Sequence, residues 1–442
     1  MDHWKTRFGF MLAAIGSAVG LGNIWRFPYI TGEYGGATFL LVYLVFVFLL
    51  GIPLLLAEFS IGKAGQKDAV GSFKNLAPNT KWHWTGFMGV IGGILILSFY
   101  SVVAGWSLYY LYSYVTGQFT DVTPDGFGPI FEDWISNSLS PLFWQVLFLG
   151  VTLLIVVRGI KGGIEKANVL LMPVLALLMV FMAMYVLTLD GAWEGMKFLF
   201  QPEWSQLGNP DLYLTALGQA FFSLSLGVAG MLTYASYLKE KDRLPAATVG
   251  IGVLDTVFAV IAGIMIFPAV FSFGLDIGQG PPLVFITLPS IFASMPMGTI
   301  VAIIFFGLLT MAALSSAISL LELPVSFFSR TVGMTRKAAT YMCTSIIFVL
   351  GIASSLGFGI WSGVGIGDKN ILDVIDFVTA NITLPLGAIL MAVFVGWYLD
   401  KEQAIKNSEI ETPVVANVWY VIVKYLAPVI VLLIAIASIF VL

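Results

Sequence analysis

Long runs of apolar residues, separated by short polar segments, recur along the whole chain. A helix that crosses a lipid bilayer needs about 20 largely apolar residues, and eleven runs come close to that length or exceed it. They fall at 8–35, 38–58, 86–115, 142–158, 163–187, 211–238, 244–273, 298–328, 336–357, 370–398 and 418–441. Because the connections are short, we predict an all-α transmembrane bundle of eleven spans, with residues 1–442 forming a single domain.

The composition supports a membrane environment. Hydrophobic residues make up 59% of the chain, charged residues only 10%, and the mean hydropathy is +0.95. Soluble globular proteins carry about 25% charged residues, so we expect the lipid bilayer to surround this protein. A net charge of −4 gives no indication of nucleic-acid binding. The one cysteine, Cys343, excludes a disulfide within the chain, and the two histidines lie in separate polar segments.

The loops differ sharply in their basic residues. Those on the side of the N-terminus hold nearly all the lysines and arginines, whereas the opposite loops hold only Lys197 and Lys369. Cytoplasmic loops carry an excess of such residues. We therefore predict a cytoplasmic N-terminus and, with an odd number of spans, an external C-terminus. The first apolar run is longer than a signal-peptide core, so we expect it to be retained as a span.

Two spans carry glycine-rich segments in their middle. Residues 16–23 of span 1 have the sequence GSAVGLGN, and residues 222–230 of span 6 have FSLSLGVAG. Either segment alone is typical of close helix packing. Because they lie five spans apart at matching depth, we predict two broken helices in two repeats of opposite orientation. The repeats would cover 8–187 and 211–398, with 418–441 as an extra span.

Broken helices expose backbone groups that suit a zwitterion and a cation. Free N–H groups at half-helix ends favour a carboxylate, and unwound carbonyls with nearby side-chain oxygens favour a small cation such as sodium. Asn23, Ser223 and Ser225 supply such oxygens at the breaks. Asp255 lies mid-span in span 7, where a carboxylate indicates function by default. A neutral, hydrogen-bonded carboxyl and a proton-relay role are the alternatives.

Two further groups in the spans have both a functional and a purely structural interpretation. Ser315 and Ser316 in span 8 could bind a cation or bond between helices, and the residues alone favour packing. Span 5 has Gly163 near its start and Pro173 ten residues later. That spacing predicts either an ordinary kink or a segment that unwinds to admit water from the cytoplasm to a bound cation.

Four charged residues lie near the predicted ends of spans. Arg26 follows the first break by one turn, and Asp376 lies near the outer end of span 10, so we predict an outer gate in which they pair. An exposed pair contributes little stability, which suits a gate that must open. Glu58 and Glu322 fall near cytoplasmic helix ends, where interfacial solvation or a local hydrogen bond explains them without a role in transport.

The most specific sequence block spans the first break, where residues 16–28 have the sequence GSAVGLGNIWRFP. Supporting blocks are GGATF at 35–39, GQAFFSLSLG at 218–227, TYASY at 233–237 and FITLP at 285–289. With these blocks nearly the whole chain resembles the neurotransmitter:sodium symporter family, in its short bacterial branch. The resemblance implies sodium-coupled import of hydrophobic amino acids by alternating access, in a bacterial plasma membrane. It implies no enzymatic activity, no organic cofactor, and a monomer sufficient for transport.

The resemblance also implies two sodium sites and a substrate site. The first sodium site would use Ala18, Asn23, Ser223, Asp255 and the substrate carboxylate. The second would use carbonyls of Gly16, Val19 and Ala312 with hydroxyls of Ser315 and Ser316. The substrate would contact Gly20, Leu21, Gly22, Tyr100, Phe222, Ser225, Leu226, Gly227, Val228, Ala317 and Leu320. Phe222 would act as a lid beneath the pair of Arg26 and Asp376.

Three departures from the family pattern refine these expectations. Chloride-dependent members have a neutral residue at the position of Asp255, so we expect chloride-independent transport. Val228 stands where the family often has phenylalanine, which leaves room for aromatic substrates alongside leucine. The family's inner gate pairs an arginine near the N-terminus with an acid after span 8. Here Asp2 and Arg330 offer a charge-swapped pair, but Lys5 is an alternative partner, so the sequence leaves the inner-gate partners open.

Other functions remain as alternatives. A proton-driven or exchanging amino-acid carrier on the same architecture would use Asp255 as the proton acceptor. An intramembrane hydrolase is disfavoured because no Ser–His or paired-Asp arrangement lies at matched membrane depth. A channel is disfavoured because the chain shows no repeated filter residues.

Overall fold

The protein is built almost entirely from helices in this computed structural model, which describes residues 3–274, 281–367 and 369–440. Among those residues, eight continuous helices are long and apolar enough to cross a membrane. They are spans 2, 3, 5 and 7 to 11, at Ala37–Gly65, His83–Val115, Ile160–Val186, Leu244–Ser272, Gly298–Arg330, Arg336–Leu356, Ile371–Tyr398 and Pro413–Ile434. The last of these continues as helix Ala427–Phe440, and residue 441 of the predicted span lies outside the described residues.

The other three spans are two interrupted helices and one shorter helix. Span 1 consists of Arg7–Ala18 and Gly22–Glu33, which meet at 45°. Span 6 consists of Pro210–Ser223 and Gly230–Ala235, with turns over the residues between them. Span 4 is Ser140–Val156, and the preceding helical segment Pro124–Ser136 turns away from it by 79°. The all-α transmembrane class and the broken first and sixth helices are therefore confirmed, while the repeat boundaries stay a prediction.

Short elements connect the spans. They are the helices Ala69–Leu76, Phe127–Ser136, Ala192–Phe200, Thr287–Ser294 and Lys401–Ser408, and the 3₁₀ turns Pro124–Gly126, Trp204–Gly208 and Pro281–Val284. The strands Gly365–Ile366 and Lys369–Asn370 form a two-stranded antiparallel ribbon.

Several spans contain wide π-helical turns, a feature that is frequent at functional sites. These turns are Gly22–Arg26, Val47–Gly51, Ile160–Glu165, Thr379–Thr383, Phe394–Tyr398 and Ile422–Leu426. The first directly follows the break of span 1, and the third includes Gly163 of the predicted release path.

Span 2 extends further than its hydrophobic pattern predicts. The prediction ends it at Glu58, because a charged residue usually marks the end of a membrane helix. Glu58 is instead 1% exposed and lies inside the span, which continues to Gly65. The helix ends where Gln66 adopts a left-handed conformation with φ of 51°. The carboxylate is tolerated at this depth because span 6 covers it.

The two broken helices lie at the centre of the bundle. Span 1 packs against spans 5, 7 and 8, and both halves of span 6 pack against span 2. Val19 and Leu224, at the two breaks, have no exposed surface. Irregular backbone inside a membrane protein must be buried in protein or line a cavity, so the packing explains how both breaks are accommodated.

Candidate functional site

The break in span 1 brings its backbone close to spans 3 and 8. Val19 is extended, with φ of −75° and ψ of 103°. A Cβ on Gly20 would lie 2.3 Å from the Ser316 Oγ and 2.9 Å from the Tyr100 hydroxyl, so only glycine fits there. The N–H of Leu21 donates to the Tyr100 hydroxyl at 3.2 Å. The break therefore offers a backbone donor and a phenolic hydroxyl side by side.

The break in span 6 is held open by a carboxylate from span 2. Ser225 and Gly227 have positive φ values of 52° and 84°. Glu58 accepts hydrogen bonds from the N–H groups of Gly227 and Leu232, each at 3.3 Å. The expectation that Glu58 lies at an interfacial helix end is thus wrong. It satisfies backbone donors that the interruption of the helix leaves without helical partners.

Three spans bring polar side chains together around Asp255. One carboxylate oxygen accepts from the Asn23 Nδ2 at 2.9 Å, and the other accepts from the Ser223 hydroxyl at 2.6 Å. The Tyr43 hydroxyl lies 3.5 Å from the second oxygen. All four side chains are buried. We call Asn23, Tyr43, Ser223 and Asp255 the anionic cluster, because it contains one carboxylate and no basic side chain.

A second group of oxygens joins span 1 to span 8. The Ser315 hydroxyl lies 2.9 Å from the Ala312 carbonyl and 3.4 Å from the Val19 carbonyl. The Ser316 hydroxyl lies 3.2 Å from the Gly16 carbonyl. We call these three carbonyls and two hydroxyls the neutral cluster. They are the ligand set that the family resemblance implies for the second sodium ion.

Both clusters offer the chemistry of an alkali-cation site. Oxygen ligands suit hard cations, whereas transition metals favour imidazole and thiolate ligands. Within the part of the chain that the structure describes, no three His, Cys, Asp or Glu side chains group together. The ligand roles of the individual residues stay predictions.

A cavity opens beside the neutral cluster, between spans 1, 3, 6, 8 and 10. Twelve residues line it: Ser17, Ala18, Gly20, Gly22, Ile96, Tyr100, Phe222, Ser225, Val228, Ser316, Leu320 and Leu384. Polar groups of the two breaks thus face apolar side chains across the cavity.

The lining includes most of the predicted substrate contacts but not all of them. Leu21, Leu226, Gly227 and Ala317 are not among the lining residues. Gly227 directs its N–H towards Glu58 instead, and Leu226 and Ala317 are buried in the core. The sequence analysis missed Ile96 and Leu384, because nothing distinguishes one apolar residue of a membrane span from another.

Three polar residues of this region were not predicted. Ser17 lines the cavity. Tyr43 belongs to the anionic cluster. Gln219 donates to the Gly22 carbonyl at 2.9 Å and accepts from Arg26 at 3.3 Å, so it ties span 6 to span 1. The sequence signal for Gln219 was its position, about one turn before the break in span 6.

Above the cavity, Arg26 covers Phe222. The guanidinium carbon of Arg26 lies 4.9 Å from the centre of the Phe222 ring, which is a cation–π contact. Among the described residues, the ion pairs do not include Arg26 with Asp376. The two residues therefore make no direct ion pair in this conformation, and the outer gate stays a prediction.

On the opposite side of the cavity, hydrogen bonds hold the predicted cytoplasmic face together. The Trp4 indole donates to the Tyr234 carbonyl at 2.9 Å. Arg330 donates to the Ser236 hydroxyl at 2.8 Å and to the Gln66 carbonyl at 2.7 Å. Asp2, the suggested partner of Arg330, lies outside the described residues.

Glu322 is a second acid whose surroundings differ from the expectation of an interfacial position. It has no exposed surface, accepts from the Tyr237 hydroxyl at 2.7 Å, and forms an ion pair with Arg336. A buried charge is retained only when it is paired and hydrogen-bonded, so Glu322 links spans 6, 8 and 9 near the predicted cytoplasmic end.

Span 5 is helical along the predicted release path. The π-helical turn Ile160–Glu165 contains Gly163, where a Cβ would lie 1.9 Å from the Ile155 carbonyl oxygen. The helix then continues through Pro173 to Val186. The predicted unwinding is thus not present in this conformation, and its role in release stays a prediction.

Comparisons with known proteins agree with this geometry. A sequence profile of the Sodium:neurotransmitter symporter family matches residues 1–123 and 135–442. The crystal structure of MhsT in complex with L-phenylalanine has a TM-score of 0.94 and 51% sequence identity, and covers 99% of this chain and 100% of that chain. An uncharacterized sodium-dependent transporter of Bacillus subtilis, YhdH, is 38% identical over 96% of this chain and 95% of its own.

A third relative extends the comparison to another bacterium. An uncharacterized sodium-dependent transporter of Haemophilus influenzae is 36% identical over 99% of this chain and 98% of its own. The match to the family profile covers nearly the whole length, and the relatives are transporters rather than enzymes. The chain therefore belongs to the sodium:neurotransmitter symporter family, and it is a sodium-dependent, multi-pass membrane transporter.

Proposed function

We propose that this protein imports hydrophobic L-amino acids, aliphatic and aromatic, together with two sodium ions and without chloride. One observation carries the proposal: the central cavity is polar where the two helices break and apolar elsewhere. Ile96, Val228, Leu320 and Leu384 supply the apolar walls. A solved neighbour with 51% identity, MhsT, is in complex with L-phenylalanine.

The proposed substrate pose follows from this division of the cavity. The amino-acid carboxylate lies at the break of span 1, near the Leu21 N–H and the Tyr100 hydroxyl. The ammonium group lies at the carbonyl-rich break of span 6. The side chain points between Val228 and Leu320, where valine leaves space for an aromatic ring. Phe222 closes the cavity from above.

The anionic cluster is the proposed first sodium site. Asp255 gives the ion a fixed negative charge, and Ser223 adds a neutral oxygen. The Asn23 side-chain oxygen, which accepts from the Gly20 N–H at 3.4 Å, adds another. Ala18 lines the same cavity, so its carbonyl can serve both the ion and the substrate region. The substrate carboxylate completes this site, which couples binding of the amino acid to binding of sodium.

The neutral cluster is the proposed second sodium site. An ion there would bind span 1 to span 8 through the oxygens of Gly16, Val19 and Ser315. Outer closure then precedes inner opening, and unwinding between Gly163 and Pro173 hydrates the second ion, which leaves before the first. Uptake is thus driven by the sodium gradient through alternating access.

Uptake into proteoliposomes tests the proposal. We expect labelled L-leucine and L-phenylalanine to accumulate under an inward sodium gradient with equal pH on both sides, and labelled L-aspartate to stay outside. Replacing sodium with choline should abolish accumulation.

The main alternative is a proton-driven or exchanging carrier with Asp255 as the proton acceptor. Accumulation that follows an imposed pH gradient and ignores sodium would establish proton coupling and contradict sodium symport. Uptake that needs internal substrate under every gradient would establish exchange.

A further inference from the structure

Asn168 stands out on the core-facing side of span 5. It has no exposed surface, and it begins a buried stripe of otherwise apolar residues. That stripe continues through Met172, Leu175, Met179 and Met182. A buried amide in such a stripe costs free energy unless its polar atoms are satisfied, so its presence there needs an explanation.

Only half of the Asn168 amide has a partner. Its Nδ2 donates to the Ile164 carbonyl at 3.0 Å. Its Oδ1 is buried and has no hydrogen-bond partner among the residues that the structure describes. Exchanging the two atoms would turn the oxygen towards the Ile164 carbonyl oxygen, so that carbonyl fixes the orientation. A buried acceptor without a partner is costly to a folded protein.

The free oxygen points at the neutral cluster. A Cβ built on Gly16 would lie 2.3 Å from the Asn168 Oδ1 and 3.1 Å from the Ser315 Cβ. Gly16 therefore allows the amide of span 5 to reach the backbone that carries one of the predicted ligands. The Asn168 oxygen lies next to this ligand set without belonging to it.

A second contact of the same kind lies nearer the N-terminus of span 1. A Cβ on Gly9 would lie 2.1 Å from the Glu165 Oε1. The Glu165 carboxylate accepts from the Lys5 N–H at 2.7 Å and from the Thr6 hydroxyl at 2.9 Å. The side-chain oxygens of Asn168 and Glu165 thus lie on one side of span 5, between the neutral cluster and the predicted cytoplasmic end of span 1.

We propose that the Asn168 side-chain oxygen is a transient ligand that receives the second sodium ion as it leaves the neutral cluster towards the cytoplasm. This inference rests on the proposed function. An amide oxygen is neutral, so it replaces a lost ligand of the ion without holding the ion as a carboxylate would. Asn168 also lies between Gly163 and Pro173, where water is proposed to enter.

The experiment compares net uptake with exchange in proteoliposomes, using labelled L-phenylalanine. Net uptake requires release of sodium inside, whereas exchange at equal, saturating sodium on both sides does not. Asn168→Leu keeps the branching at Cγ and removes the oxygen. We expect net uptake to fall about tenfold, with exchange and the half-saturating sodium concentration for phenylalanine binding within about twofold of the unchanged protein.

Gln145 provides a matched control. It is also fully buried, donates one side-chain hydrogen bond, and has an oxygen without a partner among the described residues. It lies on span 4 and packs against spans 3 and 9, away from both clusters. Gln145→Leu should leave the ratio of net uptake to exchange unchanged. Asn168→Ser, which keeps a neutral side-chain oxygen, should retain at least half of the net uptake.

The outcomes separate the inference from the proposed function. An Asn168→Leu protein whose net uptake and exchange fall in proportion, or do not fall, overturns the role of Asn168. Asn168→Ala gives the same test if the leucine variant does not fold, and loss of net uptake in Asn168→Ser comparable to that in Asn168→Leu also overturns the role. If the unchanged protein shows no sodium-driven net uptake of phenylalanine, the proposed function itself fails.

Discussion

The two oxygen clusters in this protein lie on the same broken helix but differ in charge. The anionic cluster joins spans 1, 2, 6 and 7 around the carboxylate of Asp255. The neutral cluster joins spans 1 and 8 through carbonyls and serine hydroxyls. A cation bound at the first would be neutralised, whereas a cation at the second would keep its charge in a low-dielectric interior.

This difference gives a physical reason for an order of release. An uncompensated charge inside a membrane protein is costly, so an ion at the neutral cluster leaves readily once water reaches it. In the proposed pose the substrate carboxylate completes the anionic cluster, whose Asn23 and Ser223 are neighbours in sequence of the cavity-lining Gly22 and Phe222. We infer that the anionic cluster couples the amino acid to sodium, and that the neutral cluster responds to the opening of the predicted cytoplasmic side.

Neutralising Asp255 should have the largest effect. Asp255→Asn keeps the shape and removes the charge. Losing one partner of a buried charged pair costs about 3 kcal/mol or more, so uptake at limiting sodium should fall about 100-fold. Initial rates of L-leucine uptake at graded sodium concentrations measure this fall. Asp125→Asn, at an exposed position, is the control, and an Asp255→Asn rate close to that control would contradict a charged first site.

Removing the serine hydroxyls should have a smaller effect. The double variant Ser315→Ala and Ser316→Ala deletes two neutral ligands, each worth about 1 kcal/mol. The half-saturating sodium concentration for L-leucine binding should rise about 10- to 30-fold. Ser329→Ala is the control, because the Ser329 hydroxyl bonds within its own helix, to the Ser326 carbonyl. A double variant with unchanged sodium dependence would contradict sodium binding at the neutral cluster.

Changing Glu58 should disturb the break of span 6, and with it the substrate cavity, through the backbone. Glu58→Gln replaces one acceptor with an amide that faces the backbone donors of span 6. Leaving a buried donor unpaired costs about 1–2 kcal/mol, and substrate affinity should fall up to about tenfold. Equilibrium binding of labelled L-phenylalanine measures the loss, with Glu132→Gln at an exposed position as the control. Unchanged affinity would show that the break of span 6 does not need this carboxylate.

Replacing chloride should have the smallest effect. If Asp255 supplies the fixed negative charge, sodium-driven uptake in gluconate should stay within about twofold of uptake in chloride. Parallel initial rates in the two salts, at the same sodium concentration, provide the measurement. A loss of uptake in gluconate that chloride restores would show that an anion from solution is still required beside Asp255.

Sequence reasoning located the helices and the breaks because both have strong local causes. Apolar runs of sufficient length define spans, and glycine-rich segments mark the interruptions at 19–21 and 224–229. It failed at Glu58 and Glu322, where an acid in an apolar run was assigned to a helix end. The burial of Glu58 depends on partners more than a hundred positions away in the chain. The burial of Glu322 depends on Arg336.

The cavity lining shows a second limit of the sequence. Tyr43 and Ile96 reach the central region only because spans 2 and 3 pack there. Tyrosine and isoleucine are common in membrane helices, so the local pattern does not identify these two. The gate differs again: Arg26 contacts Phe222 in this conformation, and its predicted pairing with Asp376 stays a prediction.

One hydroxyl, that of Ser316, belongs to both the substrate cavity and the neutral cluster. Ser316 lines the substrate cavity, and its Oγ lies 3.2 Å from the Gly16 carbonyl of the neutral cluster. Because both sites share this hydroxyl, the free energy of binding at the substrate cavity depends on whether the neutral cluster is occupied. Such coupling is reciprocal by thermodynamic necessity. If an ion beside Ser316 raises the affinity for an amino acid by some factor, the bound amino acid must raise the affinity for that ion by the same factor.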